Sequence, residues 1–125
     1  MILTNNPGVL SLYPNAIWVD GGPIEVLLEC RRNVHGAYPL LVHPLMGDEH
    51  LIIRNPFRTV ILGKRKNEID LISLSWAEES LEKIRLLYRP PLFSELLEDY
   101  QSIDLDLFQK AFKWSGPSID FQDDQ

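Results

Sequence analysis

The segment Ile2-Leu3-Thr4-Asn5-Asn6-Pro7 decides how this chain folds, because a β-forming run meets a helix start signal with nothing between them. Ile2, Leu3 and Thr4 suit a strand, either asparagine can cap a helix, and the fixed φ of Pro7 suits the first helical position. The same grammar returns where Ile17-Trp18-Val19 meets Asp20-Gly21-Gly22-Pro23, and a third apolar run, Leu40-Leu41-Val42, ends on His43-Pro44. In an open α/β sheet the carboxyl ends of parallel strands form the ligand crevice, so these polar exits mark where a site would lie.

Working outward, Val9, Leu10, Leu12 and Tyr13 give a short helix that Pro14 ends, and a second strand covers Ala16 to Val19. Ile24, Leu27, Leu28, Arg31 and Val34 fall near helical spacing, with Gly36 placed as a left-handed cap. Tyr38 to Val42 is a continuous apolar run, which suits a central strand covered on both faces. From His43 to Arg58 the chain is mixed, with Gly47, Asp48 and Glu49 as turn formers and Leu51-Ile52-Ile53 as an edge-strand candidate. Thr59-Val60-Ile61-Leu62 is the fourth strand, closed by Gly63 and the basic turn Lys64 to Asn67.

The remainder reads as helical. One helix starts at a Ser75/Glu78 capping box, or a turn earlier at Asp70 or Ser73; it carries Ala77, Leu81, Ile84 and Tyr88 in one stripe and stops at Pro90-Pro91. Two shorter helices are expected at Leu92 to Tyr100 and at Asp104 to Lys113, the second presenting Leu105, Phe108 and Phe112. The expected fold is α/β: a small, mainly parallel four-stranded sheet flanked by helices in a Rossmann-like three-layer arrangement, with a helical C-terminal third. No helix is evident between the third and fourth strands, which leaves an antiparallel pairing, and so a mixed sheet, open. Residues 1–114 are expected to form a single domain, and 115–125 an acidic, flexible tail with Asp120, Asp123 and Asp124, in which Ile119 and Phe121 could dock.

Composition excludes several classes. A chain of 125 residues supports one core, and 45% hydrophobic with 24% charged residues is the balance of a soluble globular protein. The net charge is −6 and basic residues come only in short clusters, Arg31-Arg32 and Lys64-Arg65-Lys66, so the sustained positive face that nucleic acid requires is missing. No apolar stretch nears the roughly 18 residues of a membrane span, and a strand rather than a leader follows Met1, so the expected location is cytoplasmic, without a membrane partner. The single Cys30 reads as a small buried thiol in a reducing compartment.

Several residue sets invite chemistry. Asn5 and Asn6 offer amide donors and acceptors beside helix N–H groups that could receive an anion, with capping as the structural alternative. His43, at the end of a buried strand, could act as base or ligand or pack as a structural residue on Pro44, and a cis bond at that proline is open. Asp20 with Gly21 and Gly22 only superficially resembles a phosphate-cradling turn, because Pro23 has no N–H to donate. His43, Asp48, Glu49 and His50 are metal-ligand types without a framework to orient them. Cys30 and His35 lie roughly 140° apart around one helix, a poor geometry for a thiolate–imidazole pair. Arg54-Asn55-Pro56-Phe57-Arg58 sets two guanidiniums near a ring, fit to clamp a carboxylate or to pair with acidic neighbours. The ligand-binding candidates are thus Asn5, Asn6, Asp20, His43, Asn55 and Arg58; no catalytic residue, metal or cofactor is assigned.

The ordered set Thr4-Asn5-Asn6-Pro7, Glu25-Val26-Leu27 with Arg31 and His35-Gly36, Leu40-Leu41-Val42-His43-Pro44-Leu45 with Gly47, and Asn55-Pro56-Phe57-Arg58-Thr59-Val60 resembles the GrdX-like family, which is named for its association with bacterial glycine reductase genes. The resemblance covers Met1 to Leu87, and Asp48 to Arg54 departs from the family pattern. It implies a cytoplasmic accessory role in anaerobic amino-acid or amine metabolism, with Asn5, Asn6, His43 and Asn55 as matching polar positions and no cofactor. Two classes of function follow. One is a noncatalytic accessory or interaction protein, paired with another protein or with itself as a homodimer. The other is a small-molecule binder or enzyme using a strand-end crevice lined by Asn5, Asn6, Asp20 and His43.

Overall fold

In the computed structural model, which describes residues 1–45 and 53–115 with the side chains of Trp114 and Ser115 excepted, strands and helices alternate at first and helices then take over. The order is β1 (Ile2–Thr4), α1 (Pro7–Leu12), β2 (Ile17–Trp18), α2 (Pro23–His35), β3 (Thr59–Ile61), α3 (Leu71–Leu87), a 3-10 turn (Ser94–Leu96) and α4 (Leu97–Ser115). Both early helices begin at the prolines that the sequence marks, Pro7 and Pro23.

β1 is the middle strand. It runs parallel to β2, with Leu3 opposite Ile17, and antiparallel to β3, with Ile2 opposite Ile61 and Thr4 opposite Thr59. The expectation of a four-stranded, mainly parallel Rossmann-like sheet is therefore corrected: the described residues form an α/β fold with four α-helices and a three-stranded mixed sheet. The stretch read as the third strand meets the sheet at a single bridge, Leu40 to Leu62. Proline at position 39 accepts from the Gly63 N–H but has no N–H to return, and the Leu40 N–H, on the side away from β3, is taken by Ser73 Oγ of α3 at 2.8 Å, so no further strand pairs there. An antiparallel neighbour also needs no helix-length crossover, which is why β3 can join beside β1 without the connection a parallel strand would require.

Alternation along the strands sorts the core into two layers. Met1, Leu3, Val60 and Leu62 face α2 and α3, where they pack with Val26, Leu27, Val34, Leu81 and Ile84. Ile2 and Ile61 face the other way, toward Val9 of α1 and Phe108 and Ala111 of α4. Tyr13 closes that layer edge-on against Phe108, with ring centroids 4.9 Å apart. The same alternation turns Thr4 and Thr59 toward α4, the one polar step in an otherwise apolar contact.

Three boundaries depart from expectation or settle it. α3 starts at Asp70, whose carboxylate accepts from the Ser73 N–H at 3.1 Å and its hydroxyl at 2.6 Å. α2 ends one residue later than its glycine suggests: Gly36 has φ −82°, and Ala37 takes the left-handed conformation at φ 76°. Tyr38 N–H then bonds the Asn33 carbonyl and Ala37 N–H the Val34 carbonyl, closing a Schellman motif around an alanine. The two expected C-terminal helices are one, α4, because Asp104, read as a helix start, lies mid-helix with its carboxylate engaged elsewhere. Asp48, Glu49, His50, the edge-strand residues Leu51 and Ile52, and residues 116–125 of the expected tail lie outside the described residues.

Candidate functional site

The polar exits of β1 and the entry to β3 converge on α4. Asn5 and Arg58 face each other across the sheet end: the Arg58 N–H donates to Asn5 Oδ1 at 2.8 Å, while Asn5 Nδ2 donates to the carbonyls of Gly21 at 3.0 Å and Pro56 at 2.9 Å. Asn6 caps α1 by accepting from the Gly8 N–H at 2.9 Å. Its Nδ2 reaches the other way, to the Gln101 carbonyl at 2.9 Å and Asp104 Oδ2 at 3.0 Å. Asn55 repeats the device, accepting from the Phe57 N–H and donating to the Tyr100 carbonyl at 3.0 Å. Asn5, Asn6 and Asn55 are all buried, and each has both amide oxygen and nitrogen engaged.

Proton order within this cluster follows from who can donate. Thr59 Oγ1 donates to Asp104 Oδ2 at 2.8 Å, so in its 2.7 Å contact with Thr4 the proton belongs to Thr4. Thr4 Oγ1 in turn accepts from the Asn6 N–H at 3.0 Å. A chain of donors therefore runs from the Asn6 amide through two hydroxyls to one carboxylate.

Electrostatics there is governed by burial. Removal from water pushes the Asp104 carboxyl above its ordinary value, against the opposing pull of its hydrogen bonds from Asn6 and Thr59 and the charge of Arg58. Burial likewise lowers Arg58, and Asp104 holds it up. Arg58 Nη1 also reaches the Pro44 carbonyl at 3.5 Å.

His43 stands at the edge of the same region. Its ring tilts against Trp76 at 5.3 Å, and Nδ1 accepts from the Leu45 N–H at 3.1 Å, which leaves the neutral ring's proton on Nε2. Partial burial lowers its pKa, with Glu79 raising it and Lys83 lowering it further. A void of about 20 Å³ separates His43 from Arg58 and Asp104. That is room for about one water molecule. The described residues contain no cis peptide, so His43-Pro44 is trans. Asp20 is exposed on its loop and joins no part of this network, which takes only the neighbouring Gly21 carbonyl.

Of the sequence candidates, then, Asn5, Asn6, Asn55 and Arg58 are brought together, His43 borders them and Asp20 stands apart. Asp104 was missed. Its signal was an acid four residues before Phe108 and seven before Ala111, on the apolar stripe of α4, where a solvated aspartate has no place.

A family model described as GrdX-like protein matches residues 1–113. The chain belongs to the GrdX-like family. No curated protein and no solved structure matches it. The match extends beyond Leu87 to take in Asp104, so both ends of the Asn6–Asp104 bond lie within the GrdX-like unit.

Other features of this GrdX-like chain offer little chemistry. Cys30 is fully buried and its thiol is pushed up to about 12 by desolvation, the state of an inert core residue. Among the described residues no group of three His, Cys, Asp or Glu side chains is placed to hold a metal, and no helix is long and apolar enough to cross a membrane. In the basic groove beside Lys64, Arg65 and Lys66, the N–H groups of Leu40, Leu41, Gly63 and Lys66 are all bonded internally.

Proposed function

We propose that this GrdX-like protein is a noncatalytic accessory or interaction protein, working in the cytoplasm alongside the anaerobic amino-acid or amine reduction that the family resemblance implies. One observation carries the reading: the amides of Asn5, Asn6 and Asn55 are committed to internal partners, and α4 occupies the rim where a ligand would enter. A ligand binding there would break several buried hydrogen bonds, and each unsatisfied group left behind costs about 1–3 kcal/mol. The void beside His43 fits a water rather than a substrate. Exposed apolar side chains outside this rim, Leu92 and Phe93 among them, supply the surface that recognition of a macromolecule uses.

The test has two arms. A thermal-shift screen with amino acids, amines, acyl phosphates and nucleotides is expected to be silent, where a ligand at 100 times its dissociation constant would stabilise by about 2.7 kcal/mol. Capture on the tagged full chain from native host lysate is expected to recover a protein partner reproducibly. A compound that stabilises the wild type but not His43→Ala, with no partner recovered, would replace this reading with the strand-end pocket.

A further inference from the structure

We infer that the basic groove beyond the end of β3 binds the acidic end of the same chain, residues 119–124, a contact that goes beyond the interaction reading and does not depend on it. The groove has a volume of about 420 Å³, within the usual range of clefts that hold ligands. Pro39, Leu40, Leu41 and Gly63 are its less exposed lining, and Lys64, Arg65 and Lys66 stand exposed along it, with Lys66 paired to Asp70 at 4.0 Å. The basic turn is held in place: the Gly63 N–H bonds the Pro39 carbonyl at 2.7 Å, the Lys66 N–H the Ala37 carbonyl at 2.8 Å and Arg65 Nε the Gly36 carbonyl at 3.0 Å. That last bond uses one of the five donors of a guanidinium. With the backbone donors spent internally, attraction for an anion comes from three spaced side chains, which suits carboxylates spread along a peptide better than one compact anion.

Charge and position select the occupant. Residues 116–125 carry Asp120, Asp123 and Asp124 with no basic residue, and Ile119 and Phe121 stand among them, so carboxylates and apolar side chains are offered together to a groove of basic rim and apolar lining. α4 runs in the direction of β3: Asp104 meets Thr59 near its start, and Phe108 and Ala111 pack with Ile61 further on. The chain therefore leaves α4 toward the end of the sheet where Gly63 opens the basic turn. Leu41 joins the two places, since it packs against the layer of Ala111 and also lines the groove. From Ser115 to Asp124 is nine residues, a reach of up to roughly 30 Å. The exposed apolar group at the other edge of the sheet, Leu12 with Ile17 and Trp18, lies in a stretch that carries Asp20 and no basic residue, so it offers the acidic end no countercharge. Any other acidic segment that enters the groove must then displace residues 119–124.

Carbodiimide coupling, which joins a carboxylate to an amine in contact with it, tests this on the full chain at low micromolar concentration, with the bonds mapped by peptide mass spectrometry. The Lys66–Asp70 and Lys110–Asp106 pairs, at 4.0 and 3.0 Å, serve as internal checks on the reagent. In the product of single-chain mass, Asp120, Asp123 or Asp124 should couple to Lys64 or Lys66 at several times the yield to Lys110 and Lys113, although those two are nearer in sequence. Arg65→Glu keeps both amines and should lower that yield several-fold, as should Phe121→Ala, which leaves the basic turn untouched. Molar salt should lower it too. Coupling of the three aspartates mainly to Lys110 and Lys113, or to no lysine, would overturn the inference, and so would a yield indifferent to both Arg65→Glu and Phe121→Ala. Bonds found only in a product of twice the single-chain mass would give the groove to a second copy and overturn the assignment to the same chain.

Discussion

Asn6 and Asp104, 98 residues apart in sequence, meet through a buried hydrogen bond of 3.0 Å from Nδ2 to Oδ2. The contact makes α4 part of the strand-end structure rather than a cover laid over it. Asn6 caps α1 with its oxygen and holds α4 with its nitrogen, so one side chain fixes two helices at the exit of β1.

Removing the acceptor should be costly. In Asp104→Ala the donors of Asn6 and Thr59 lose their partner and buried Arg58 loses its countercharge, so urea denaturation should show a loss of about 2–4 kcal/mol. Asp104→Asn keeps an acceptor and should lose less. A change under about 0.5 kcal/mol in Asp104→Ala would place it among ordinary surface substitutions.

The carboxyl of Asp104 also makes stability depend on pH in an unusual direction. Its native pKa is raised above the ordinary 3.8, so its contribution is fully present below that value and is lost as pH rises through the higher native one. Asp70 and His43 have lowered pKa values, so their contributions act oppositely, present above 3.8 and 6.5 respectively and lost as pH falls. Urea midpoints measured from pH 4 upward should therefore show the wild type losing ground to Asp104→Asn as pH increases. A difference that stays level, or runs the other way, would show the carboxyl to be less desolvated than its burial indicates.

The Schellman closure of α2 gives a test of backbone strain. Ala37 holds φ 76°, a region that costs an L-residue roughly 1–2 kcal/mol and costs glycine almost nothing. Ala37→Gly should therefore raise stability by up to about 1 kcal/mol after the entropy of the freer unfolded chain is subtracted. A lower melting temperature in that variant would show that packing of the buried alanine methyl outweighs the strain.

Cys30 offers a check on the core between α2 and the sheet. A fully buried thiol pushed up to about 12 should resist a thiol-specific reagent at neutral pH until the protein unfolds. Labelling at the rate of a free thiol in the native state would contradict the packing of that layer.

Local signals carried much of the fold. Asn6-Pro7 and Gly22-Pro23 mark α1 and α2 because capping and proline chemistry act within four residues. The apolar run at Thr59 gave β3 for the same reason. What stayed hidden depends on distant partners. Leu40 sits in a run that reads as a central strand, yet a serine 33 residues away takes its N–H. Gly36 is the natural left-handed residue, but the register of α2 puts that conformation on Ala37. Asp104 is the same problem at the site: its side chain suits a helix start locally, and only Asn6 and Thr59 explain its place inside α4. Asn5, Asn6, Asn55 and Arg58 could be picked out by their position at strand ends, but not the fact that their polar groups would serve one another.

The most direct measurement is a double-mutant cycle on Asn6→Ala and Asp104→Ala, read by urea denaturation at pH 7. Because Asn6 also caps α1 and Asp104 also serves Thr59, only the coupling term isolates the bond between them. A strand-end rim closed by the contact between Asn6 and α4 should give a coupling of about 1 kcal/mol or more. Losses that add to within about 0.3 kcal/mol would mean that the two residues act independently, and the polar rim would again be open to a ligand.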